Sequence, residues 1–514
     1  MKQDTILVFD FGGQYAHLIS RRIRENNVYS EIVPNTTTLS EIENIQRRVN
    51  VKGIILSGGP SSIYEKNAPK LDKGVLYSPI PVLGICYGLQ LIAYSVNGEV
   101  TPAKKKEYGI SFATIKHAKG ILKGLHRREQ IWMSHGDSVY SVPDNFEVLA
   151  STENCPVAAF MDRQNEIYGI QWHPEVVHTK NGARVISNFI FDICGCKPTW
   201  KVVGMLDRYV DEVKRQVGKD KAVVALSGGL DSSTAATIAS KALGRNLTAV
   251  FVDHGLLRGG EPKQVKVLGK KLGINFVYVD ASRRFMEALK GVTDPEQKRK
   301  IIGREFIRVF EETAKRYNAK YLVQGTIYPD RIESGQTKNS KVIKTHHNVG
   351  GIPSVIKFKG IVEPLRELYK DEVRKIAKQL KLPKEIVYRQ PFPGPGLAVR
   401  IVGDITERKV EIVRNADNIV RAEIIGRGLD KGMWQYFAVL TDTKSTGVKG
   451  DSRSYGSVIA IRAVESTDAM TASFSRIPYE ALETISTRIT NEIPEVVRVV
   501  YDITNKPPST IEWE

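Results

Sequence analysis

The sequence predicts an α/β chain: two parallel-sheet α/β domains followed by a smaller α+β domain. Three observations predict it. Short apolar runs alternate with helical patterns across the first third, and a second alternation of the same kind opens at Lys221. A Pro/Gly cluster at 389–396 then separates both from a region of different character. Strand–helix alternation implies parallel strands joined by crossover helices. At roughly 150 residues per domain, 514 residues hold about three domains.

In the first domain, residues 5–9 read as a strand, 14–24 as a helix, and 51–56 and 81–85 as further strands. The second series reads as strand 222–226, helix 232–242, strand 247–252, helix 262–272 and strand 275–279. Between them CGCKP at 194–198 breaks the pattern, which sets domains at 1–196, 197–389 and 390–514. The stretch RQPFPGPG at 389–396 has two glycines and three prolines within eight residues, so it is neither ordinary helix nor central strand. A helix over 407–425 and strand-like runs at 434–440, 458–463 and 496–501 predict an α+β unit on an antiparallel or mixed sheet.

Composition excludes some classes. Hydrophobic residues at 41% and charged residues at 26% describe a globular chain rather than a disordered one. No apolar run reaches the roughly 18–20 residues needed to cross a bilayer. The start, MKQDTILVFDFGG, carries an acidic residue inside its first apolar stretch and no small-residue cleavage site. Four cysteines with no CxxC pair fit a reducing compartment, so a cytoplasmic location is expected. Lys+Arg 75 against Asp+Glu 57 gives +18, which suits anionic partners: nucleic acid, an anionic membrane surface or phosphorylated small molecules. No zinc-finger spacing or long basic run favours nucleic acid, and the spread-out charge reads mostly as solvated surface. No nucleic-acid or membrane partner is expected.

GICYG at 84–88 directly follows an apolar run and precedes a helical pattern. A Gly-x-nucleophile-x-Gly turn between strand and helix holds the nucleophile in a strained conformation and lets neighbouring chain pass close by. A thiol at a helix N-terminus also has its thiolate stabilised. Cys86 is therefore a candidate nucleophile, beside the plainer reading of a small buried hydrophobe. GIQWHPE at 169–175 supplies a base and its orienting group. His173 and Glu175 project to one side in extended chain, and Pro174 keeps His173 out of the helical region. SGGP at 57–60 offers Gly58 and Gly59 backbone N–H groups for an oxyanion hole, with Tyr87 N–H as the second donor. In SHGDS at 134–138, Asp137 is placed to meet a substrate ammonium, and His135 reads as a loop histidine. The elbow, the SGGP loop and the WHPE terminus resemble the triad-type, class I glutamine amidotransferases, over roughly residues 4–194. That resemblance implies a glutamyl thioester on Cys86, release of ammonia, and Gln90 in the glutamine-binding set.

ALSGGLDSST at 225–234 joins a strand to a helix. Ser227, Gly228 and Gly229 allow a tight turn whose N–H groups, with the helix N-terminus at Leu230, can cradle a phosphate chain. No Gly-Lys-[Ser/Thr] follows, so this is not a loop for γ-phosphoryl transfer. Ser227, Ser232 and Ser233 replace the lysine as polar ligands, and Asp231 is placed to hold Mg²⁺ or to orient the loop. The segment resembles the pyrophosphatase loop of the ATP-pyrophosphatase family, which adenylates a substrate oxygen. Asp253, and the run Gln324, Gly325, Thr326, would then lie on the carboxyl rim of the same sheet. Asp330 and Glu333 are further candidates for magnesium or nucleotide contacts, with a solvated loop as the alternative.

Ammonia release plus adenylation means amination of a carbonyl-type oxygen, and these residues alone leave the acceptor open. Asparagine synthetases use an N-terminal cysteine, where this chain has Lys2, and NAD synthetases use a nitrilase-type amidase. The domain order, with DPEQKRKIIG (294–303), KTHHNVGG (344–351), RQPFPGPGLAVR (389–400), AIRAVES (460–466), DAMTASFSRIP (468–478) and NKPPSTIEWE (505–514), resembles the GMP synthetases. Gly13 and His254 stand where that family's pattern has Ser and Asn. The resemblance implies Mg-ATP, XMP and glutamine as substrates, no organic cofactor, and a homodimer formed through the C-terminal domain. It also implies XMP contacts from Arg299, Pro393, Gly394, Gln435, Lys506, Thr510, Ile511 and Glu512. Lys506 and Arg299 suit a phosphate, and the Glu512 carboxylate suits purine N–H donors. Lys341 and Lys344 flank a Gly-rich segment read as a lid, and His346 with His347 is not read as a metal pair.

Overall fold

The computed structural model describes residues 2–13, 15–271, 273–333, 358–449, 452–466 and 471–514. Lys341, Lys344, His346 and His347, and the side chain of Glu333, lie outside that description. The described residues form two compact units, the first running to Lys201 and the second starting at Val202.

The first unit is built on a nine-stranded sheet. Its order is Tyr29–Pro34, Asp4–Asp10, Asn50–Leu56, Val82–Ile85, Ile167–Ile170, Ala159–Asp162, Glu147–Ser151, Glu99–Ile115 and Arg128–Ser141. The first five strands pair in parallel. These are continuous apolar runs such as Ile6–Phe9, buried on both faces under the helices Ala16–Glu25 and Tyr87–Ser95, as a parallel sheet requires. The remaining strands pair antiparallel, which extends the expected parallel sheet into a mixed one. The physical reason is visible in the hairpin Glu99–Ile115 with Arg128–Ser141. Its residues alternate buried and exposed, so one face meets water and no crossover helix is needed to cover it.

The second unit carries two sheets. The first has five parallel strands in the order Asn275–Asp280, Leu247–Asp253, Ala222–Ala225, Tyr321–Val323, Gly360–Val362. The chain winds outward from Ala222–Ala225 in one direction and later returns on its other side. The carboxyl end of that central strand is therefore a topological switch point, where open α/β sheets bind ligands. The second sheet has four strands: Gln435–Lys449, Ser452–Glu465 and Ser473–Phe474 pair antiparallel, while Val496–Asp502 runs parallel to Ser452–Glu465. Its helices, Glu407–Gly426 and Tyr479–Glu492, complete the α+β arrangement. One apolar core runs through both sheets, joining Val223, Val250 and Leu322 to Leu397, Val413, Ile461 and Ile485.

Candidate active sites

Cys86 sits between the strand Val82–Ile85 and the helix Tyr87–Ser95, with φ +53°. This positive φ is costly for a residue with a side chain, of order 1–3 kcal/mol, and the surrounding packing holds it. A Cβ at Gly84 would lie 2.5 Å from the Gly88 carbonyl carbon, and one at Gly88 would lie 2.5 Å from the Leu56 oxygen. Both glycines are thus required by close approach. Cys86 N–H donates to the Ile170 carbonyl at 2.8 Å, which ties the elbow to the strand that leads into His173.

His173 Nδ1 and Glu175 Oε1 are 2.7 Å apart, and the three side chains are closed to solvent, with Cys86 4%, His173 3% and Glu175 0% exposed. Burial pulls the His173 pKa down, but Glu175 and Cys86, by charge and hydrogen bonding, more than reverse this and raise it to about 10. The tautomer follows: with Nδ1–H donated to Glu175, Nε2 is the atom left for Cys86. A Cβ on Gly58 would come within 3.0 Å of His173 Cε1 and 3.6 Å of Cys86 Cβ, so the SGGP loop lies directly against the pair. A Cβ on Gly59 would meet Phe11 O at 2.8 Å and Tyr87 Cγ at 3.4 Å.

The strand Arg128–Ser141 borders Cys86 and Gln90. Cys86 Sγ lies 3.6 Å from Ser134 O, and Gln90 donates from Nε2 to Asp137 O at 2.8 Å. His135 is not on a loop: it is buried in this strand, with Nε2 3.2 Å from Glu107 Oε2 and Nδ1 2.9 Å from Asp137 O. Sequence reasoning missed Glu107. It also missed Tyr15, whose ring stands edge-on to His173 at 5.0 Å, and Arg22, which donates to Glu175 O at 2.9 Å.

The 225–234 loop occupies the switch point. Gly228 has φ +75°, Gly229 is the N-cap of the helix Leu230–Leu243, and Ser227 Oγ and Ser232 Oγ are 2.8 Å apart. Gly229 N–H donates to Ser227 Oγ at 3.3 Å. Ser233 Oγ and Asp231 Oδ1 are buried without a hydrogen-bond partner among the described residues, and Lys370 Nζ stands 3.6 Å from Asp231 Oδ2. Gly325 lies against the same helix start, since a Cβ there would fall 2.9 Å from the Asp231 carbonyl carbon. Gln324 N–H donates to Val362 O at 2.9 Å, leading into Thr326 on the same rim. Asp253 is committed to local bonds, accepting Tyr278 OH at 2.7 Å and Gly255 N–H at 3.0 Å. His254 is buried and its pKa falls to about 4 by burial; its Nδ1 accepts Leu256 N–H at 3.2 Å. Asp330, on the helix Tyr328–Glu333, accepts Ile327 N–H at 3.2 Å. Among the described residues no group of three or more His, Cys, Asp or Glu is arranged to hold a metal ion. Arg389, unnoticed in the sequence, donates to Gly228 O at 2.7 Å and pairs with Glu261.

The chain between 505 and 514 folds back on the second sheet. Arg462, buried, donates to Thr504 O (3.0 Å), Thr510 O (2.7 Å) and Ile511 O (2.9 Å). Lys506 exchanges backbone hydrogen bonds with Ala472, and Thr510 Oγ1 donates to Glu512 O at 2.5 Å. Ile511 is buried with Val464 and Ala472. Gln435 Nε2 donates both to Glu512 Oε1 and to Pro391 O at 2.9 Å, which brings the tail to the Pro-Gly turn. In that turn Gly396 N–H donates to Pro393 O at 2.9 Å, while Gly394 is exposed. Arg299 donates to Glu514 O and faces Glu296 at 3.7 Å.

A cysteine elbow backed by His and Glu, and a Ser-Gly-rich loop at a sheet switch point, define a glutamine-dependent amidating ligase. Family models agree along the chain: Glutamine amidotransferase class-I matches residues 7–193, NAD synthase 202–326, and GMP synthase C terminal domain 422–513. The chain is 55% identical to the GMP synthase [glutamine-hydrolyzing] of Caldicellulosiruptor saccharolyticus, covering 100% of both. The proteins of the same name from Clostridium botulinum and Clostridium tetani are 52% and 51% identical, again over 100% of each. The chain belongs to the glutamine-hydrolysing GMP synthase family.

Proposed function

We propose that the chain makes GMP from XMP, ATP and glutamine, in three domains at 1–196, 197–389 and 390–514. The pairing, in one chain, of the closed Cys86–His173–Glu175 triad with the 227–233 loop at the switch point supports the ammonia-releasing and adenylating halves, and the full-length identity to glutamine-hydrolysing GMP synthases supports XMP as the acceptor.

The Cys86 thiolate attacks the glutamine amide carbon. The resulting oxyanion is met by N–H groups of the Gly58–Gly59 segment and of Tyr87, and Gln90 and Asp137 bind the amino-acid end. Imidazolium His173 gives its proton to the departing amine, so ammonia leaves and a thioester remains. Water, deprotonated by His173, then releases glutamate and restores the thiolate. Glu175 fixes the tautomer throughout.

In the second unit the XMP C2 oxygen attacks the α-phosphorus of ATP and expels pyrophosphate, cradled by Ser227 to Ser233 with Asp253 and Gln324 to Thr326 on the rim. Ammonia adds to C2 and AMP departs with the oxygen, giving GMP. Adenylation is needed because a urea-like oxygen leaves poorly and AMP leaves well. Arg299, Gln435, Lys506 and the 510–512 segment bind XMP beside the Pro393–Gly394 turn. Mg²⁺ arriving with ATP fits Asp231, whose buried Oδ1 has no donor among the described residues; Asp330 and Glu333 are further candidates, Asp330 being engaged locally. The ion would offset the charge of the phosphates.

A homodimer through the C-terminal domain has support in an open apolar groove of about 350 Å³, lined by Ile461, Leu482 and Tyr501, with Tyr479 exposed beside it. We read the chain as cytoplasmic, without organic cofactor, nucleic acid or membrane partner; no described helix is long and apolar enough to cross a bilayer. Product analysis tests the central claim. With all three substrates and Mg²⁺, one GMP should appear per AMP, pyrophosphate and glutamate; ADP in place of AMP would refute it.

A further inference from the structure

Four charged side chains alternate in sign through the interior of the second unit, and none of them figures in the chemistry above except the last. Arg258 follows the strand Leu247–Asp253, Asp417 lies on the helix Glu407–Gly426, Arg400 ends the turn Gly396–Arg400, and Glu512 is in the tail. Arg258, Asp417 and Arg400 are 2%, 1% and 0% exposed. Asp417 puts one oxygen on each arginine: Oδ2 is 3.5 Å from Arg258 Nε and Oδ1 is 3.5 Å from Arg400 Nη1. Asp417 Oδ1 also accepts Ala438 N–H at 3.3 Å. Arg400 also donates twice to Glu512, with Nε to Oε2 and Nη2 to Oε1 both at 3.2 Å. Phe437 lies under the Arg400 guanidinium at 4.0 Å, and Phe392 of the Pro-Gly turn is flanked by Arg258 at 4.4 Å and Arg400 at 5.2 Å.

Buried like charges repel strongly, so a carboxylate between the two arginines that flank Phe392 offsets their repulsion. Asp417 is that carboxylate. Removing it would leave Arg400 held by Glu512 alone and facing the Arg258 cation with no carboxylate between them. The state of Glu512 matters because a carboxylate has about four acceptor directions. Arg400 takes two and Gln435 Nε2, on Oε1, takes a third, which leaves one on Oε2 among the described residues.

We propose that Asp417 is a positioning residue for XMP, holding Arg400 so that Glu512 keeps its one open lone pair turned to a purine N–H. The inference rests on reading Glu512 as a purine contact. Asp417→Asn is nearly isosteric and keeps the acceptor for Ala438 N–H, but it turns an amide donor or a neutral oxygen toward each arginine. It should raise KM for XMP about tenfold or more, as expected for one buried charged contact, and leave kcat at saturating XMP within about threefold. Because it acts through Glu512, Asp417→Asn should add little to KM in a Glu512→Gln background. Arg400→Lys keeps a buried cation that cannot grip both carboxylate oxygens, so it should raise KM for XMP too, and it serves if Asp417→Asn does not fold. Lowered thermal stability with unchanged KM for XMP in both variants would overturn the inference, and so would a full additive effect in the double variant. If Glu512→Gln alone leaves KM for XMP unchanged, the Glu512 reading falls, and the inference with it.

Discussion

His135 and Glu107 form a buried contact in which both ring nitrogens of the histidine face acceptors. Nε2 meets the Glu107 carboxylate at 3.2 Å and Nδ1 meets the Asp137 carbonyl at 2.9 Å. The ring is thereby tied at both nitrogens to its own strand and to the paired one. Glu107 also accepts from Thr152 Oγ1 (3.1 Å), Ser111 Oγ (3.3 Å) and Asn154 Nδ2 (3.4 Å). Burial would raise its pKa, but His135, Asn154 and Thr152 together hold it below the usual value. This buried contact fixes the strand segment that presents Ser134 O to Cys86 and Asp137 O to Gln90. Glu107→Gln should therefore raise KM for glutamine about tenfold and leave ammonium-dependent synthesis unchanged, measured with each nitrogen source at saturating XMP and ATP. An equal loss with ammonium would contradict it.

The raised pKa of His173 gives a pH signature with a definite sign. Protonated His173 stabilises the fold fully below its ordinary pKa of 6.5, and that contribution is lost as pH rises through about 10. For catalysis, the alkaline limb of kcat/KM for glutamine should fall near pH 10 rather than near 6.5. Glu175→Gln removes a carboxylate that raises the pKa, so the limb should move to lower pH and kcat should drop about 100-fold or more. Glutamine's own ammonium titrates identically in both enzymes, so the displacement between the two profiles isolates His173. Superimposable limbs would sever the link between Glu175 and the imidazole.

Two substitutions should separate the half-reactions. Cys86→Ala removes the nucleophile but nothing in the second unit, so glutamine-dependent synthesis should vanish while ammonium-dependent synthesis survives. Asp231→Ala removes the half-buried carboxylate beside Lys370, and should abolish synthesis from either nitrogen source. Assays of GMP formation with glutamine or ammonium check both. Loss of ammonium-dependent activity in Cys86→Ala would refute two separable sites.

Local chemistry explains why the fold and the elbow are legible in the sequence. The glycines at 84 and 88, the apolar run before them and the helical pattern after them specify a strand–turn–helix whatever the rest of the chain does. The same holds for SGGLDSS after the strand Ala222–Ala225. Pairings set by register are not legible this way. Glu107 meets His135 only because the long hairpin pairs those two residues, and a slip of one position would put Glu107 in water. Arg258, Asp417 and Arg400 come from three elements whose meeting depends on tertiary packing. Buried charges read in a sequence as surface charges, because burial is decided by partners that no local pattern names.

Gly228 shows how a single hydrogen atom in place of a side chain sustains the phosphate loop. Its φ of +75° is a conformation that L-residues adopt at a cost of about 1–3 kcal/mol. Space is closed as well, since a Cβ there would lie 2.5 Å from Val265 Cγ2 and 3.0 Å from Arg389 Nη1. Arg389 cannot yield freely, because the same Nη1 grips Gly228 O at 2.7 Å and Nη2 is bound to Glu261. Gly228→Ala must therefore shift the loop, the arginine or both, and the N–H groups aimed at the departing pyrophosphate lose their aim. KM for ATP should rise about tenfold or more, by the same factor with glutamine as with ammonium. The rate at which iodoacetamide alkylates Cys86 should stay at the parent value, reporting an intact first unit. Unchanged ATP kinetics in a folded Gly228→Ala protein would show that the loop does not cradle the phosphates.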